Sequence, residues 1–256
     1  MQIIAGNCIL EDYDTAADTL AFLKRMSKVY HFDLIYKSSW KKDNRSSAET
    51  YKGPGISSAT EMFHDLKKAF NIPILTDFHH PDELRTRLVD EIDIVQIPAY
   101  LCMQTELTMA MAQTGKTINV KKGQFLHPRD IEHIINKIKL VNEHATISLT
   151  ERGTCFGYRD LVVDPRSIHT LKSFGYPVFV DVGHAIRRYG IPSSDLKLGG
   201  MKTFVPTLAR VAAALHCGVF VEVHPKPEKA LCDAVTQLSF KEFEFMVDNI
   251  CDLTNG

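Results

Sequence analysis

Four side chains far apart in this chain, Cys8, His184, Glu222 and Asp233, offer a thiol, an imidazole and two carboxylates. Together they suit a divalent transition metal of the zinc, iron or manganese class. No short ligand motif joins them. Taken singly, a buried Cys is usually a small hydrophobe and a lone His is usually hydrogen-bonded, so the residue types leave both readings open. A second set is cationic: Lys37, Lys42, Arg45, Lys122 and Arg152 stand at or just beyond the ends of apolar runs. Lys and Arg converging on one place hold a multiply charged anion, such as a carboxylate with a phosphate. One by one they read equally as a solvated basic rim. As a set they favour anion binding, because strand ends carry them. Lys121 and Lys122 are adjacent, and strand side chains alternate, so the two cannot both face one interior.

Short β-like runs position these groups. Ile3–Ala5 leads to Cys8, Asp33–Tyr36 to Lys37, Ile74–Thr76 to Asp77 and His79, and Ile94–Val95 to Gln96. Ile118–Val120 leads to Lys121 and Lys122, Ile147–Thr150 to Glu151 and Arg152, Val178–Val180 to Asp181 and His184, and Val219–Val221 to Glu222 and His224. Segments of helical period separate most of them: Asp14–Lys28, Ser57–Phe70, Pro81–Val89, Met103–Thr114, Pro128–Val141, Thr203–His216 and Ser239–Leu253. Ser57 and Ser239 read as N-caps, and Pro81 and Pro128 as first-turn residues. Eight β/α units predict an α/β protein, a (β/α)8 TIM barrel of one domain over residues 1–256, with its chemistry at one mouth. Ser38–Ile56 and Ala185–Met201 read as long active-site loops.

Composition narrows the class. The chain has 256 residues, 45% of them hydrophobic and 24% charged, with a formal net charge of −1, so neither nucleic acid nor a membrane surface is indicated as a partner. No apolar run reaches the roughly 20 residues that span a bilayer. The N-terminus lacks the basic region of a signal peptide, and the six cysteines have no framework spacing, so reduced thiols and the cytoplasm are expected. Rival chemistries are a Schiff base on Lys122 or Lys37, a Cys155 nucleophile, and an anion held by backbone at Gly199-Gly200.

Several ordered blocks resemble the 3-deoxy-D-manno-octulosonate 8-phosphate synthases of the metal-dependent branch. They are Asn44-Arg45-Ser46-Ser47 with Gly53-Pro54-Gly55, Thr76-Asp77, Gln96-Ile97-Pro98-Ala99, Asn119 through Phe125, Glu151-Arg152-Gly153 with Phe156-Gly157-Tyr158, Leu161 through Asp164, and His224-Pro225 through Asp233. The resemblance implies a transferase that condenses phosphoenolpyruvate with arabinose 5-phosphate and water, on the way to lipopolysaccharide, in a homo-oligomer expected to be a tetramer. By motif it places Lys37, Lys42, Lys122 and Arg152 on phosphoenolpyruvate, Asn44 and Arg45 on the sugar phosphate, and Asp77 on sugar hydroxyls. Gln96 joins the substrate-binding set, and Lys42, Asn44, Asp77 and His184 form the catalytic set. A metal-dependent branch carries Cys after the first strand where the other carries Asn. Cys8 matches that position, with Asn7 one place early, so the resemblance implies a divalent metal on Cys8, His184, Glu222 and Asp233.

Three positions depart from the family pattern. Met103 stands before Gln104-Thr105 where an arginine usually helps a neighbouring subunit bind the sugar phosphate. Asp43 replaces a small residue, and Ile186-Arg187 stands where a Gln is frequent. The phosphoenolpyruvate half is expected intact, while the acceptor aldehyde is open to change unless Arg187, Arg188 or Lys197 replaces the missing cation. The alternative function is therefore a paralogous 3-deoxy-2-ulosonic acid synthase using a different aldehyde, unphosphorylated ones included.

Overall fold

The computed structural model describes residues 1–43, 50–155, 160–188, 190–192 and 195–254. Eight parallel strands close a barrel in the order β1-β10-β9-β6-β5-β4-β3-β2. They are β1 (Gln2–Gly6), β2 (Asp33–Lys37), β3 (Ile74–Asp77), β4 (Ile94–Ile97), β5 (Thr117–Lys121), β6 (Ile147–Glu151), β9 (Val178–Asp181) and β10 (Gly218–Glu222). Each contains one of the runs read from the sequence, extended by a residue or more. Two further strands, β7 (Thr154–Cys155) and β8 (Leu161–Val162), pair antiparallel as a small flap after β6.

Alternation splits each strand between two cores. Ile4, Ile35, Leu75, Phe179 and Phe220, with Ile94, pack together inside the barrel. Their neighbours, such as Ile3, Leu34, Ile74, Val95, Val180 and Val219, join the larger core beneath the helices. Two residues further along, the interior positions turn polar: Lys37, Asp77, Gln96, Asp181 and Glu222. The barrel is thus a greasy plug with a charged mouth at the C-terminal ends of its strands. Gly6 falls at this transition in β1, and a Cβ there would meet the Lys37 carbonyl oxygen at 2.1 Å. Only glycine lets β1 and β2 stay this close.

The helices form the outer layer for ordinary reasons. In α1 (Tyr13–Val29) the Asp12 carboxylate caps the first turn by accepting the Thr15 N–H at 2.7 Å, while Ala16, Leu20, Leu23 and Met26 are buried. In α5 (Ile131–Val141) the four isoleucines at 131, 134, 135 and 138 make one apolar stripe. Burying each fully contributes about 1.5–3 kcal/mol.

Boundaries differ from expectation where local chemistry intervenes. Ser57 lies inside α2 (Ile56–Phe70), whose N-cap is Gly55. Ser239 does cap α8 (Phe240–Thr254): its hydroxyl accepts the Glu242 N–H, and Glu242 Oε2 accepts the Ser239 N–H at 2.7 Å. The expected Pro81–Val89 helix divides into a 3₁₀ turn, Pro81–Arg85, and a short α3 (Leu88–Glu91). Met103–Thr114 shortens to α4 (Thr105–Gln113), and Thr203–His216 to a 3₁₀ turn followed by α7 (Val205–Ala214). An additional helix, α6 (Pro165–Lys172), follows the flap, with Asp164 as N-cap and Pro165 in its first turn. No helix among the described residues is long and apolar enough to cross a membrane.

Candidate active site

The end of β1 and the segments after β9 and β10 meet at one side of the mouth. There Cys8 Sγ lies 2.7 Å from Cys232 Sγ and 3.6 Å from Asp233 Oδ2, and His184 Nε2 lies 3.6 Å from Glu222 Oε1. Two donor groups, Cys8–Cys232–Asp233 and His184–Glu222–Asp233, share Asp233, and within each group the ligand atoms lie within 4.8 Å of one another. All four side chains expected to ligate a metal are therefore brought together, and Cys232 is present beside them. Asn7 points elsewhere: it donates to Thr19 at 3.0 Å and accepts from the Tyr36 hydroxyl at 2.9 Å. Cys8 is the residue that faces the cluster.

The cluster has features of a cation site. Glu222 is 1% exposed, yet its Oε2 has no hydrogen-bond partner among the described residues. Asp233 is held in the left-handed backbone region at φ 42°, a conformation that Asp tolerates better than most residues. Burial pushes the Cys8 thiol well above its usual range, with Cys232 and Glu222 adding to the effect. Burial would also raise Glu222, but His184, Lys37 and Lys42 outweigh it and keep the carboxylate below its ordinary value. Sulfur, imidazole and carboxylate donors gathered in a buried space fit a borderline-soft divalent ion.

Cations line the rest of the mouth. Lys37 Nζ is bonded to the Ser39 hydroxyl at 3.0 Å and to Glu222 Oε1 at 3.3 Å. Lys42 is 7% exposed, and its ammonium enters no hydrogen bond or ion pair among the described residues. Burial alone would depress Lys42, but Cys8, Cys232, Asp77 and Glu222 outweigh it and hold its pKa well above the usual lysine range. Arg152 is buried, with Nη1 donating to Gln124 Oε1 at 3.0 Å. Asp77 presents Oδ1 without a partner among the described residues, while Oδ2 lies 3.4 Å from His79 Nε2. Against the effect of burial, the His79 hydrogen bond, Lys42 and Lys37 hold Asp77 well below the carboxylate range.

Lys121 and Lys122 separate as alternation requires. Lys121, the last residue of β5, has its Nζ 2.6 Å from Asp181 Oδ2 and 3.9 Å from the centre of the Phe220 ring, inside the barrel. Burial lowers its pKa, and the charges of Lys37 and Arg152 push the same way against Asp181. Lys122, expected on the substrate, is instead fully enclosed among Gly123, Leu126 and Thr154, 3.5 Å from the equally enclosed Glu151. Glu151 also takes the Ser167 hydroxyl from α6 and the Gly153 N–H at 2.7 Å. This puts Lys122 between barrel and helices rather than with Lys121. Gln96 donates to Asn119 Oδ1 at 2.7 Å, and Asn119 donates on to Ser148 and Thr150, a polar floor beneath the mouth.

The other expectations resolve as follows. Asn44 and Arg45 lie outside the described residues. Cys155 is exposed on the flap. Gly199 gives its N–H to the Asp195 carbonyl at 2.8 Å, and a Cβ there would meet Pro192 O at 2.7 Å, so close loop packing accounts for the glycine. Arg187 Nη1 bonds Asp233 Oδ1 at 2.9 Å, and Arg188 Nε lies 3.6 Å from Asp160. Met103 is 41% exposed. Cys232, Lys121 and Asp181 were not singled out as site residues. The sequence signals for them were the Cys-Asp pair at 232–233 and the period of two in β5.

Comparison with known proteins shows the family of the chain. A family model described as the DAHP synthetase I family matches residues 1–254. The chain is 42% identical over 232 residues to a 2-dehydro-3-deoxyphosphooctonate aldolase of Nitratidesulfovibrio vulgaris, covering 90% of this chain and 84% of that protein. It is 38% identical over 253 residues to the enzyme of that name from Protochlamydia amoebophila (98% and 90% covered). With the one from Caulobacter vibrioides it shares 39% over 251 residues (98% and 86% covered).

Proposed function

This chain belongs to the DAHP synthetase I family, and on that premise we propose that it joins phosphoenolpyruvate to arabinose 5-phosphate and water, giving 3-deoxy-D-manno-octulosonate 8-phosphate and phosphate. The observation that carries the reading is the Lys42 ammonium, buried without a partner among the described residues at a mouth shared with Lys37, Lys121 and Arg152. Such a site holds an anion of high charge density, and phosphoenolpyruvate brings both a carboxylate and a phosphate.

In the proposed reaction C3 of the enol attacks the aldehyde carbon, water adds at C2, and phosphate leaves. Lys37, Lys42, Lys121 and Arg152 fix the phosphoenolpyruvate, with Lys121 taking the place first given to Lys122. Because its pKa is raised, Lys42 is a poor proton donor, so its part is fixed positive charge beside the departing phosphate and the developing alkoxide. Asp77 Oδ1 accepts a sugar hydroxyl, which aims the aldehyde at C3. Asn44 and Arg45 meet the sugar phosphate. Cys8, His184, Glu222 and Asp233 would hold a divalent ion, which when bound supplies Lewis-acid polarisation of a substrate oxygen. His184 bonds Asp181 through Nδ1, which leaves Nε2 as the nitrogen facing Glu222. A cytoplasmic homotetramer is part of the same proposal.

A second reading keeps the phosphoenolpyruvate chemistry and changes the aldehyde. Met103 favours it, because an apolar side chain cannot pair with a sugar phosphate, and Arg187 is engaged by Asp233. Phosphate release from phosphoenolpyruvate with arabinose 5-phosphate, with and without chelator, tests both. Chelator-sensitive release is the expected result. Release that ignores the chelator would remove the metal requirement, and no release from protein that still binds phosphoenolpyruvate would favour another aldehyde.

A further inference from the structure

We infer that Cys232 supplies a second thiolate to the metal, so that this chain's site is built from two sulfurs, an imidazole and carboxylate oxygen. The inference rests on the metal reading above and goes beyond its four ligands.

Three features carry it. First, Asp233 Oδ2 lies 3.6 Å from Cys8 Sγ and 3.7 Å from Cys232 Sγ. A sulfur about 2.3 Å and an oxygen about 2.1 Å from one tetrahedral zinc stand roughly 3.6 Å apart, so both cysteines keep the spacing of co-ligands to Asp233. The two sulfurs, at 2.7 Å, would open to about 3.8 Å on the same ion, a movement within reach of a side-chain rotation.

Second, the backbone holds both thiols in place. The buried Gln237 side chain accepts the Cys8 N–H at 3.0 Å and donates to the Cys232 carbonyl at 2.8 Å. This single amide ties together segments 224 residues apart. The left-handed φ at Asp233 bends the chain so that neighbouring side chains, which in a strand would diverge, share one cluster.

Third, the donors are shut away from water around one carboxylate oxygen that the described residues leave unpartnered. Cys8 and Cys232 are 0% and 2% exposed, and the Glu222 Oε2 of the same cluster is buried without a partner among the described residues. A divalent ion satisfies sulfur and carboxylate together, and a second thiolate biases the site toward softer ions over magnesium.

The test uses the full-length reduced protein loaded with zinc(II) or cobalt(II) alone, without substrate. X-ray absorption of the zinc form should count two sulfurs. The near-ultraviolet thiolate-to-cobalt absorption should fall by about half in Cys232→Ser and again by about half in Cys8→Ser, since each variant removes one of two sulfur ligands. The sulfur count on the unaltered chain stands whether or not a variant folds. One sulfur in the zinc form, with Cys232→Ser spectrally unchanged and Cys8→Ser silent, overturns this inference and leaves the four-ligand site intact. No uptake of either ion by folded protein overturns both.

Discussion

Asp181 fixes His184 at two points: its Oδ1 accepts the His184 backbone N–H at 2.8 Å, and its Oδ2 bonds the ring Nδ1 at 2.9 Å. The same carboxylate lies 2.6 Å from Lys121 Nζ. One buried side chain therefore sets the tautomer of an imidazole that faces Glu222 and anchors the Lys121 ammonium.

Replacing Asp181 with Asn should leave the barrel standing but free the ring. Loss of such an outer partner typically costs about 10–100-fold in metal affinity. Competition against a chromogenic chelator measures it, and an unchanged zinc affinity would show that His184 needs no orienting group. The Asp181 carboxyl sits well below its usual range because Lys121 and His184 outweigh its burial. A lowered carboxyl pKa stabilises the fold above about pH 3.9, with that stability lost as pH falls further. Asn should flatten this acid limb in urea titrations.

Lys42→Ala should lower kcat/KM for phosphoenolpyruvate by roughly 10–150-fold, the value of one hydrogen bond to a charged group at about 1.5–3 kcal/mol. Steady-state kinetics with the enolpyruvate varied is the measurement. A change confined to the aldehyde KM would move Lys42 to the other substrate.

Lys121 titrates below the ordinary lysine value of about 10.4 because it is buried near Lys37 and Arg152. In the proposed role its protonated form holds the anion, so kcat/KM should fall as pH rises, beginning below the range of a free lysine. Lys121→Arg keeps the charge and should push that limb to higher pH. Coincident profiles for the two proteins would exclude Lys121 as the titrating group.

Lys122→Met tests the opposite assignment for its neighbour. It strands Glu151 in a fully enclosed site, a loss of about 3–5 kcal/mol. For a domain of this size that lowers Tm by roughly 6–20 °C, while the phosphoenolpyruvate KM of the folded fraction stays within about twofold. A stable variant with a greatly raised KM would return Lys122 to the substrate.

Met103→Arg restores a cation on an exposed position before α4. If arabinose 5-phosphate is the acceptor, its KM should drop by about tenfold, the order of one exposed charge-assisted contact. A KM that does not move, together with faster turnover of an unphosphorylated aldehyde, would establish the second reading.

The sequence by itself determined the barrel strands and the chemistry at their ends. Periods of two and 3.6 are local properties, so Ile74–Leu75–Thr76 announces β3 and the stripe at Ile131–Ile138 announces α5 wherever the chain goes. The four ligand candidates were legible through their resemblance to a family, not through their spacing. Tertiary structure alone decided the rest. That β1 pairs with β10 is a matter of closure, and only closure sets Cys8 against Cys232 and Asp233. Alternation showed that Lys121 and Lys122 must part, but the register with β6 and β9 chose which entered the barrel. Glu151 is the clearest case: one residue from an arginine of the mouth, it turns outward to meet Lys122 and α6, a helix that the sequence reading did not mark. A strand fixes which side chains share a face, whereas the identity of that face depends on what the remainder of the chain packs against it.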